Sequence, residues 1–475
     1  MKMVNKIQFV FCAHTSGHLA RENEVQPQPP LGLLTLASYV RHVLPDVEVE
    51  VFDGKFFSEE DLLQVLDADL VGFSVWFSNY ARSISLASKV KASRPNTVIV
   101  MGGPHATAIA GRILKCNDCI DFVVRGEGEI PFSELLKGQP PEKIPGLVFR
   151  SGKGVCGMDV SPHLWEKTDL SSPPMVDLDL LRPAYQWQSN RGGPAMSAFP
   201  LSGVRGCFRS DRCEYCSIPT MGYRAMAPEK YWTQITKLNE QHGIDYFFET
   251  GDTFPRRYLT EVTKVKQHPD VGFRIYCYPA ILNQSDVLHL QSMGVHAIFM
   301  GVESVLHWTG GFKRKYPSHY SLNSLIDEIQ MYGRAGIEVI TGFLLGLPGE
   351  TPESLDANVR LIRLVSRLPN VNEITVSVVM PLPGSDFFEW CSGDEQIIAA
   401  YRWHTGAELQ DSDRVDYYLL SQLFVNHFTT TGYARLYDTI EVLKPELGPG
   451  MANWGAMPPV TEPLLGEVGM TAMIP

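Results

Sequence analysis

Met196-Ser-Ala-Phe-Pro-Leu-Ser-Gly-Val-Arg-Gly-Cys207-Phe-Arg-Ser-Asp-Arg-Cys213-Glu-Tyr-Cys216 is the stretch on which the architecture turns. An apolar strand, Met196 to Val204, runs into a loop that carries three cysteines within ten residues, spaced Cys-x5-Cys-x2-Cys. Thiolates are soft ligands, and three on one loop can hold three irons of a 4Fe–4S cluster. The fourth iron is then open to chelate a small molecule through an amino and a carboxylate group, as S-adenosylmethionine (SAM) offers. Three buried cysteines, or a zinc site, are the competing readings. Zinc ordinarily takes four ligands, yet no fourth cysteine lies nearby and no Cys-x2-Cys partner follows at finger spacing.

Outward from this loop the chain alternates strand and helix. Downstream, strands are expected at Met196 to Val204, Tyr246 to Thr250, Phe273 to Tyr278, His296 to Gly301, Glu338 to Leu345 and Glu373 to Met380. Helical periodicity fills the gaps, at Lys230 to His242, Tyr258 to Lys266, Gln284 to Met293, Ser321 to Ala335 and Pro352 to Leu368. Six such units match an open or partial β/α barrel, whose chemistry sits at the strand carboxyl ends. Upstream, apolar runs at Lys6 to Cys12, Val47 to Phe52, Leu70 to Val75 and Thr97 to Met101 alternate with helices at Leu31 to Val43, Glu59 to Leu66 and Tyr80 to Ser93. Near-continuous apolar strands separated by helices imply a parallel sheet covered on both faces. The expected division is an α/β domain over 1–150, a linker over 151–194, the partial barrel over 195–391, and a helical region over 392–475. That last region breaks up after Pro445 into a Gly-, Pro- and Met-rich tail expected to be partly disordered.

Composition bounds the function. The chain has 475 residues, 44% hydrophobic and 20% charged, and no apolar run of membrane-spanning length. No signal-peptide architecture precedes the first strand, so a cytoplasmic protein is expected. A net charge of −12 argues against a large nucleic-acid surface. Nine cysteines are too few, and the wrong parity, for a disulfide scaffold. Cys116-Asn-Asp-Cys119 has no second pair and reads as structural.

The second, fourth, fifth and sixth expected barrel strands end in chemically suggestive turns: Glu249-Thr-Gly-Asp252-Thr-Phe254, Gly301-Val-Glu303-Ser304, Gly342-Phe-Leu-Leu-Gly346-Leu-Pro348-Gly-Glu-Thr351 and Pro381-Leu-Pro-Gly-Ser385. Together with the cysteine loop, these resemble the cobalamin-binding subgroup of the radical SAM enzymes, and the resemblance runs from about Phe9 to Ser385. The family usually shows Cys-x3-Cys-x2-Cys, so the first gap here is longer, adding Arg209, Asp211 and Arg212 to the loop. These residues either clamp an anionic substrate group or face solvent. The resemblance implies that Cys207, Cys213 and Cys216 bind the cluster. It also implies that Tyr215, Glu249, Asp252, Arg274, Glu303, Ser304, Gly346 and Pro348 contact SAM. The acidic turn at Glu249 also suits a plain helix-capping turn. Arg274 and Tyr276 share one strand face, which points either into the lumen or at the helices. Lys313, Arg314 and Lys315 read as a solvated loop or an anion clamp.

The upstream domain resembles the family's cobalamin domain through Pro29-Pro30-Leu-Gly-Leu-Leu34, Val51-Phe-Asp-Gly54, Val71-Gly-Phe-Ser74, Gly102-Gly-Pro-His-Ala-Thr107 and Val124-Arg-Gly-Glu-Gly-Glu129. Ser74, Gly102, Gly103, His105, Thr107, Gly126 and Glu127 are the expected cobalamin contacts, although Glu127 and Glu129 also suit a loop that caps a helix. The first strand–helix loop, Cys12-Ala-His14-Thr-Ser-Gly17, keeps the His and Gly of the Asp-x-His-x-x-Gly cobalamin signature but has Cys for Asp. Without the orienting carboxylate, His14 is not expected to ligate cobalt.

The family likeness implies an enzyme holding a 4Fe–4S cluster, SAM and cobalamin. It would methylate an unactivated carbon of a small metabolite or biosynthetic intermediate through a 5'-deoxyadenosyl radical. It would draw electrons from a donor such as flavodoxin or ferredoxin. The alternatives are radical rearrangement, cyclisation or ring contraction, or a first domain that no longer holds cobalamin.

Overall fold

The computed structural model describes residues 4–14, 28–152, 154–157, 170, 174–188, 198–207, 209, 212–218, 222–265, 270–310, 312, 315–448, 451–454 and 456–460. The expectations attached to Gly17, Gly192 to Pro194, Met196, Asp211, Lys313, Arg314 and the tail from 461 lie outside them. The chain divides into two units. One is Met1–Ser210 with Ile218–Asp245, and the other is Asp211–Ser217 with Tyr246–Pro475.

Apolar runs buried at nearly every position cannot present a face to water, so they pair edge to edge beneath helices. In the first unit these are β1 (Lys6–Phe11), β2 (Glu48–Asp53), β3 (Leu70–Ser74), β4 (Val98–Gly102) and β5 (Phe122–Val124). Helices α1 (Leu31–Val43), α2 (Glu59–Val65), α3 (Tyr80–Ser93), α4 (Pro104–Cys116) and α5 (Glu129–Leu136) connect or follow them. The sheet continues through β6 (Leu147–Ser151), β7 (Gly154–Cys156) and β8 (Leu181–Arg182), in the order β8-β2-β1-β3-β4-β5-β6-β7. All pairings from β8 to β5 are parallel, while β6 and β7 add antiparallel. Residues 151–182, in the stretch expected to link the halves, therefore contribute edge strands. β1 lies between β2 and β3, so the connection reverses direction there. In sheets of this order the ligand crevice opens at that reversal, beyond the strand carboxyl ends. The unit also holds β9 (Phe199–Leu201), a short antiparallel hairpin of β10 (Val204–Arg205) with β11 (Arg224–Ala225), and α6 (Pro228–His242).

In the second unit, β12 (Tyr246–Glu249), β13 (Gly272–Cys277), β14 (Val295–Glu303), β15 (Glu338–Leu345), β16 (Val371–Val378) and β17 (Met451–Trp454) lie side by side in sequence order, all parallel. The connecting helices are α7 (Arg256–Lys264), α8 (Val287–Met293), α9 (Leu306–Thr309), α10 (Leu322–Arg334) and α11 (Pro352–Val365). Ser321 and Thr351 start α10 and α11 with reciprocal side-chain caps, which satisfy amide groups that the first helical turn leaves free. α12 (Asp386–Gly393), α13 (Glu395–Thr405), α14 (Tyr417–Phe428) and α15 (Tyr433–Leu447) form the expected helical region. β17 was not anticipated in the Gly- and Pro-rich stretch behind them. Among the described residues no helix is long and apolar enough to cross a membrane.

Candidate active site

The cysteine loop is anchored locally. The Cys216 amide donates to the Cys213 carbonyl at 2.9 Å, closing a tight turn around Glu214 and Tyr215. The start of α12 holds that turn: the Phe387 amide donates to Glu214 O at 3.2 Å, and Arg212 pairs with Asp386 at 2.7 Å. The Arg212 guanidinium is therefore committed to an ion pair in this structure. None of the nine cysteines is in a disulfide, and Cys207, Cys213 and Cys216 are each half-buried. Among the described residues no three His, Cys, Asp or Glu groups converge on one metal ion. A cubane does not need that convergence, because each thiolate binds its own iron. The Tyr215 hydroxyl is buried beside the Cys213 thiol. Its ionisation is pushed well above the usual range by burial, then by the nearby Glu303 and Cys213. Glu303, at the end of β14, thus stands beside the cysteine turn.

Glu303 has φ of 64°, a left-handed backbone that non-glycine residues rarely adopt. The register with β15 shifts at the same point. The carboxylate accepts from Lys315 Nζ at 2.7 Å, and the same ammonium donates to Gly301 O at 3.1 Å. Lys315 lies near the faces of Tyr278 and Tyr316, and its side chain is only 6% exposed. The solvated-loop reading of Lys315 is therefore corrected: a paired ammonium among aromatic rings can be withdrawn from water. Ser304 is buried and accepts from Asn358 Nδ2 at 3.0 Å. The same Nδ2 reaches Glu350 Oε2 at 3.3 Å, and Glu350 Oε1 accepts from the Gly346 amide at 3.2 Å. Glu350 is fully buried, and desolvation pushes its carboxyl up to about 7. Sequence reading missed this carboxylate. Its signal lay in the Gly346-Leu-Pro-Gly-Glu350 turn, from which only Gly346 and Pro348 were singled out.

Arg274 and Tyr276 do share a face, with Phe248 and Phe299. The guanidinium sits 4.8 Å from the Phe248 ring centroid, and Tyr276 packs against Phe248 and Phe299 at 5.0 and 5.1 Å. Arg274 is 4% exposed, and its Nε and Nη1 are buried without a partner. Burial holds its pKa below the usual guanidinium value. Glu249 is buried and accepts from the Gly251 amide at 3.2 Å, whereas Asp252 is exposed. A Cβ on Gly346 would lie 2.7 Å from Val425 Cγ2 and 3.2 Å from Val379 Cγ1, so this glycine accommodates α14. Pro348 is half-buried in the following turn.

In the first unit the expected contacts gather at the carboxyl edge of the sheet. Gly103 has φ of 95°, and a Cβ there would fall 2.8 Å from the Val75 amide nitrogen and 2.9 Å from Ser74 Oγ. Only glycine fits where the β4 turn crosses the end of β3. Gly102 is less constrained. Thr107 Oγ1 donates to Gly103 O at 2.9 Å and accepts from the Gly126 amide at 2.8 Å, joining the two loops. His105 is buried against Tyr80. Glu127 is gripped by Arg205 at 3.1 Å and by Arg224. At the reversal point, His14 Nδ1 lies 2.7 Å from Ser78 Oγ, with Phe11 and Trp76 edge-on to the ring. Burial, with Lys55 nearby, pushes the imidazole down to about 4. Ser78 orients this ring but brings no negative charge.

These donors suit the groups the motifs imply. The cysteine loop supplies thiols outside any disulfide, the second unit holds a buried guanidinium with two unpartnered nitrogens, and the first unit offers a glycine cradle at the carboxyl ends of β3 and β4. The comparisons agree. A B12 binding domain profile matches residues 19–136, and the Radical SAM superfamily profile matches residues 201–362. The chain is similar to an uncharacterised methyltransferase of Pyrococcus horikoshii, 25% identical over 391 residues, 78% of this chain and 80% of that protein. It is similar to the anaerobic magnesium-protoporphyrin IX monomethyl ester cyclase of Synechocystis, 25% identical over 300 residues, spanning 58% of this chain and 57% of the cyclase. Its fold matches the radical SAM methyltransferase TsrM of Kitasatospora setae, solved with cobalamin and a 4Fe–4S cluster, with TM-score 0.63 and 19% identity over 82% of this chain and 79% of that one. The protein is a radical SAM enzyme. Ahead of the radical SAM domain the chain carries a B12-binding domain, and the cofactors that these two domains take are a 4Fe–4S cluster with SAM and cobalamin.

Proposed function

We propose that the enzyme methylates an unactivated carbon of a small metabolite or biosynthetic intermediate. The observation that carries this reading is the union in one chain of a B12-binding domain and a radical SAM domain, in a sequence alignable along most of its length with a methyltransferase. When bound, the cofactors supply a low-potential electron, a carbon radical and a methyl group. Cys207, Cys213 and Cys216 act as the three cluster thiolates. Glu303 and Ser304 at the end of β14, with Tyr215 above them, orient SAM. Glu249, Asp252, Gly346 and Pro348 frame it from the neighbouring strand ends. Lys315 holds the Glu303 carboxylate in place through their ion pair. Arg274 offers an anion its two unpartnered nitrogens. Ser74, Gly102, Gly103, His105, Thr107, Gly126 and Glu127 shape the corrinoid cleft. Electrons come from a flavodoxin or ferredoxin, a supply that belongs to a reducing compartment such as the cytoplasm.

The cyclase relative favours a second reading, ring formation without methyl transfer. Product analysis separates them. Methyl transfer from SAM leaves S-adenosylhomocysteine, whereas reductive cleavage leaves 5'-deoxyadenosine. Reconstituted enzyme turning over its substrate with SAM labelled in the methyl group should form both, with the label in the product. Formation of 5'-deoxyadenosine alone, with unlabelled product, would reject methylation in favour of cyclisation or rearrangement.

A further inference from the structure

Arg205 stands two residues before Cys207 in the chain, and Arg224 stands eight residues after Cys216. The two arginines are direct partners across the β10–β11 hairpin. Their side chains are only 23% and 16% exposed. Like charges opposite one another on a ladder repel, so this hairpin closes only with counter-charge supplied from elsewhere. Glu127 supplies it. Its Oε2 lies 3.1 Å from Arg205 Nη1 and 3.3 Å from Arg224 Nη1, and its Oε1 receives Arg224 Nη2. Glu129, 5% exposed, takes the other Arg205 nitrogen at 2.8 Å. Burial opposes ionisation of Glu129, yet the field of Arg205 and its hydrogen bond hold the carboxyl below the ordinary carboxylate range. Arg205 and Glu129 therefore favour one another's charged forms.

The acidic pair lies on the loop after β5, whose Gly126 amide is tied through Thr107 Oγ1 to the Gly103 carbonyl. One unbroken run of polar contacts thus leads from the β4 turn, across the β5 loop, to the hairpin that brackets the cysteines in sequence. We propose that Glu127 is a positioning residue that couples corrinoid binding to cluster binding: a corrinoid seated against the β5 loop holds the arginine pair, and with it the short strand that leads into Cys207. This rests on the cofactor reading above. Coupling between two sites is reciprocal, so a bound cluster must in turn tighten corrinoid binding.

The test measures hydroxocobalamin affinity by equilibrium absorbance, with the full chain either reconstituted with iron and sulfide or left without cluster. In the wild type the cluster should tighten corrinoid binding about fivefold or more. Glu127→Gln should bring that ratio below about twofold, and Glu127→Asp, which keeps the charge, should restore part of it. Arg224→Met leaves Arg205 with both carboxylates and should lower the ratio even if Glu127→Gln folds poorly; circular dichroism and melting monitor the fold. An unchanged ratio in Arg224→Met and Glu127→Gln would overturn the proposal. So would equal weakening with and without cluster, which would make Glu127 a plain corrinoid contact. A wild-type protein that takes up neither iron nor corrinoid would sink both this proposal and the function it rests on.

Discussion

At the carboxyl edge of the first sheet, Thr107, Ser78, Glu127 and Glu129 all have partners, and the charged members are neutralised four together. The second unit is unlike it: Arg274 and Thr341 keep buried polar atoms with no partner, and Glu350 sits desolvated without a cation. An unmet buried donor costs about 1–3 kcal/mol, more when charged. The first edge is built to receive a large ligand by shape, so its own polarity is already spent internally. On the proposed function the second receives a small zwitterion and an iron cluster, and these would meet polar groups that the protein itself leaves unsatisfied. The contrast is between a finished cradle and an unfinished coordination sphere.

The contrast breaks most severely at the thiols. Replacing Cys207, Cys213 or Cys216 with Ala should remove the cluster and abolish SAM cleavage, read by iron assay and 5'-deoxyadenosine formation. The pair Cys116→Ala/Cys119→Ala should leave iron unchanged. Retention of full iron and cleavage in a triple Cys variant would refute the central assignment. In the first unit the sharpest probe is Gly103→Ala. A left-handed backbone, together with a methyl group 2.8 Å from a backbone nitrogen, should cost about 3 kcal/mol, read from urea unfolding of the corrinoid-free protein. A cost near zero would mean that the turn is not rigid.

Glu350 sharpens the comparison through pH. Its folded pKa of about 7 lies above the ordinary value of 4.5, so the folded state prefers the protonated carboxyl. Its contribution to stability is fully present below pH 4.5 and is lost as pH rises through 7, by about 3 kcal/mol in all. Glu350→Gln should flatten that slope between pH 5 and 8; an unchanged slope would place the titrating group elsewhere. The smallest effect belongs to Arg274→Met. Exchanging a buried, unpartnered charge for an apolar side chain should stabilise the ligand-free protein by ~1–3 kcal/mol. A destabilised variant would show that the guanidinium is already satisfied.

Regular elements were legible because their periodicity is local. Helices Leu31–Val43 and Tyr80–Ser93 and strand Glu338–Leu345 fall where the apolar pattern puts them. The short strands Gly154–Cys156, Leu181–Arg182 and Met451–Trp454 carry too few residues for any period, and exist only through pairing with a sheet already formed. The same limit applied to side chains. The cysteine spacing advertised its chemistry, but Lys315 looks like any loop lysine until Glu303, Tyr278 and Tyr316 close around it. Arg205 and Arg224 became visible as a pair only once the hairpin register placed them opposite one another.

The mooring of the cysteine turn to α12, through Arg212 with Asp386 and Glu214 with Phe387, bears on how such enzymes can be recombined. The lengthened cysteine gap and the opening of the C-terminal helical region are two halves of one fitting, encoded more than 170 residues apart. A chimera whose borrowed C-terminal helices lack the Asp386 carboxylate keeps only the main-chain half of this mooring and leaves Arg212 without its ion pair. Exchanged together, the two segments travel as a single cassette.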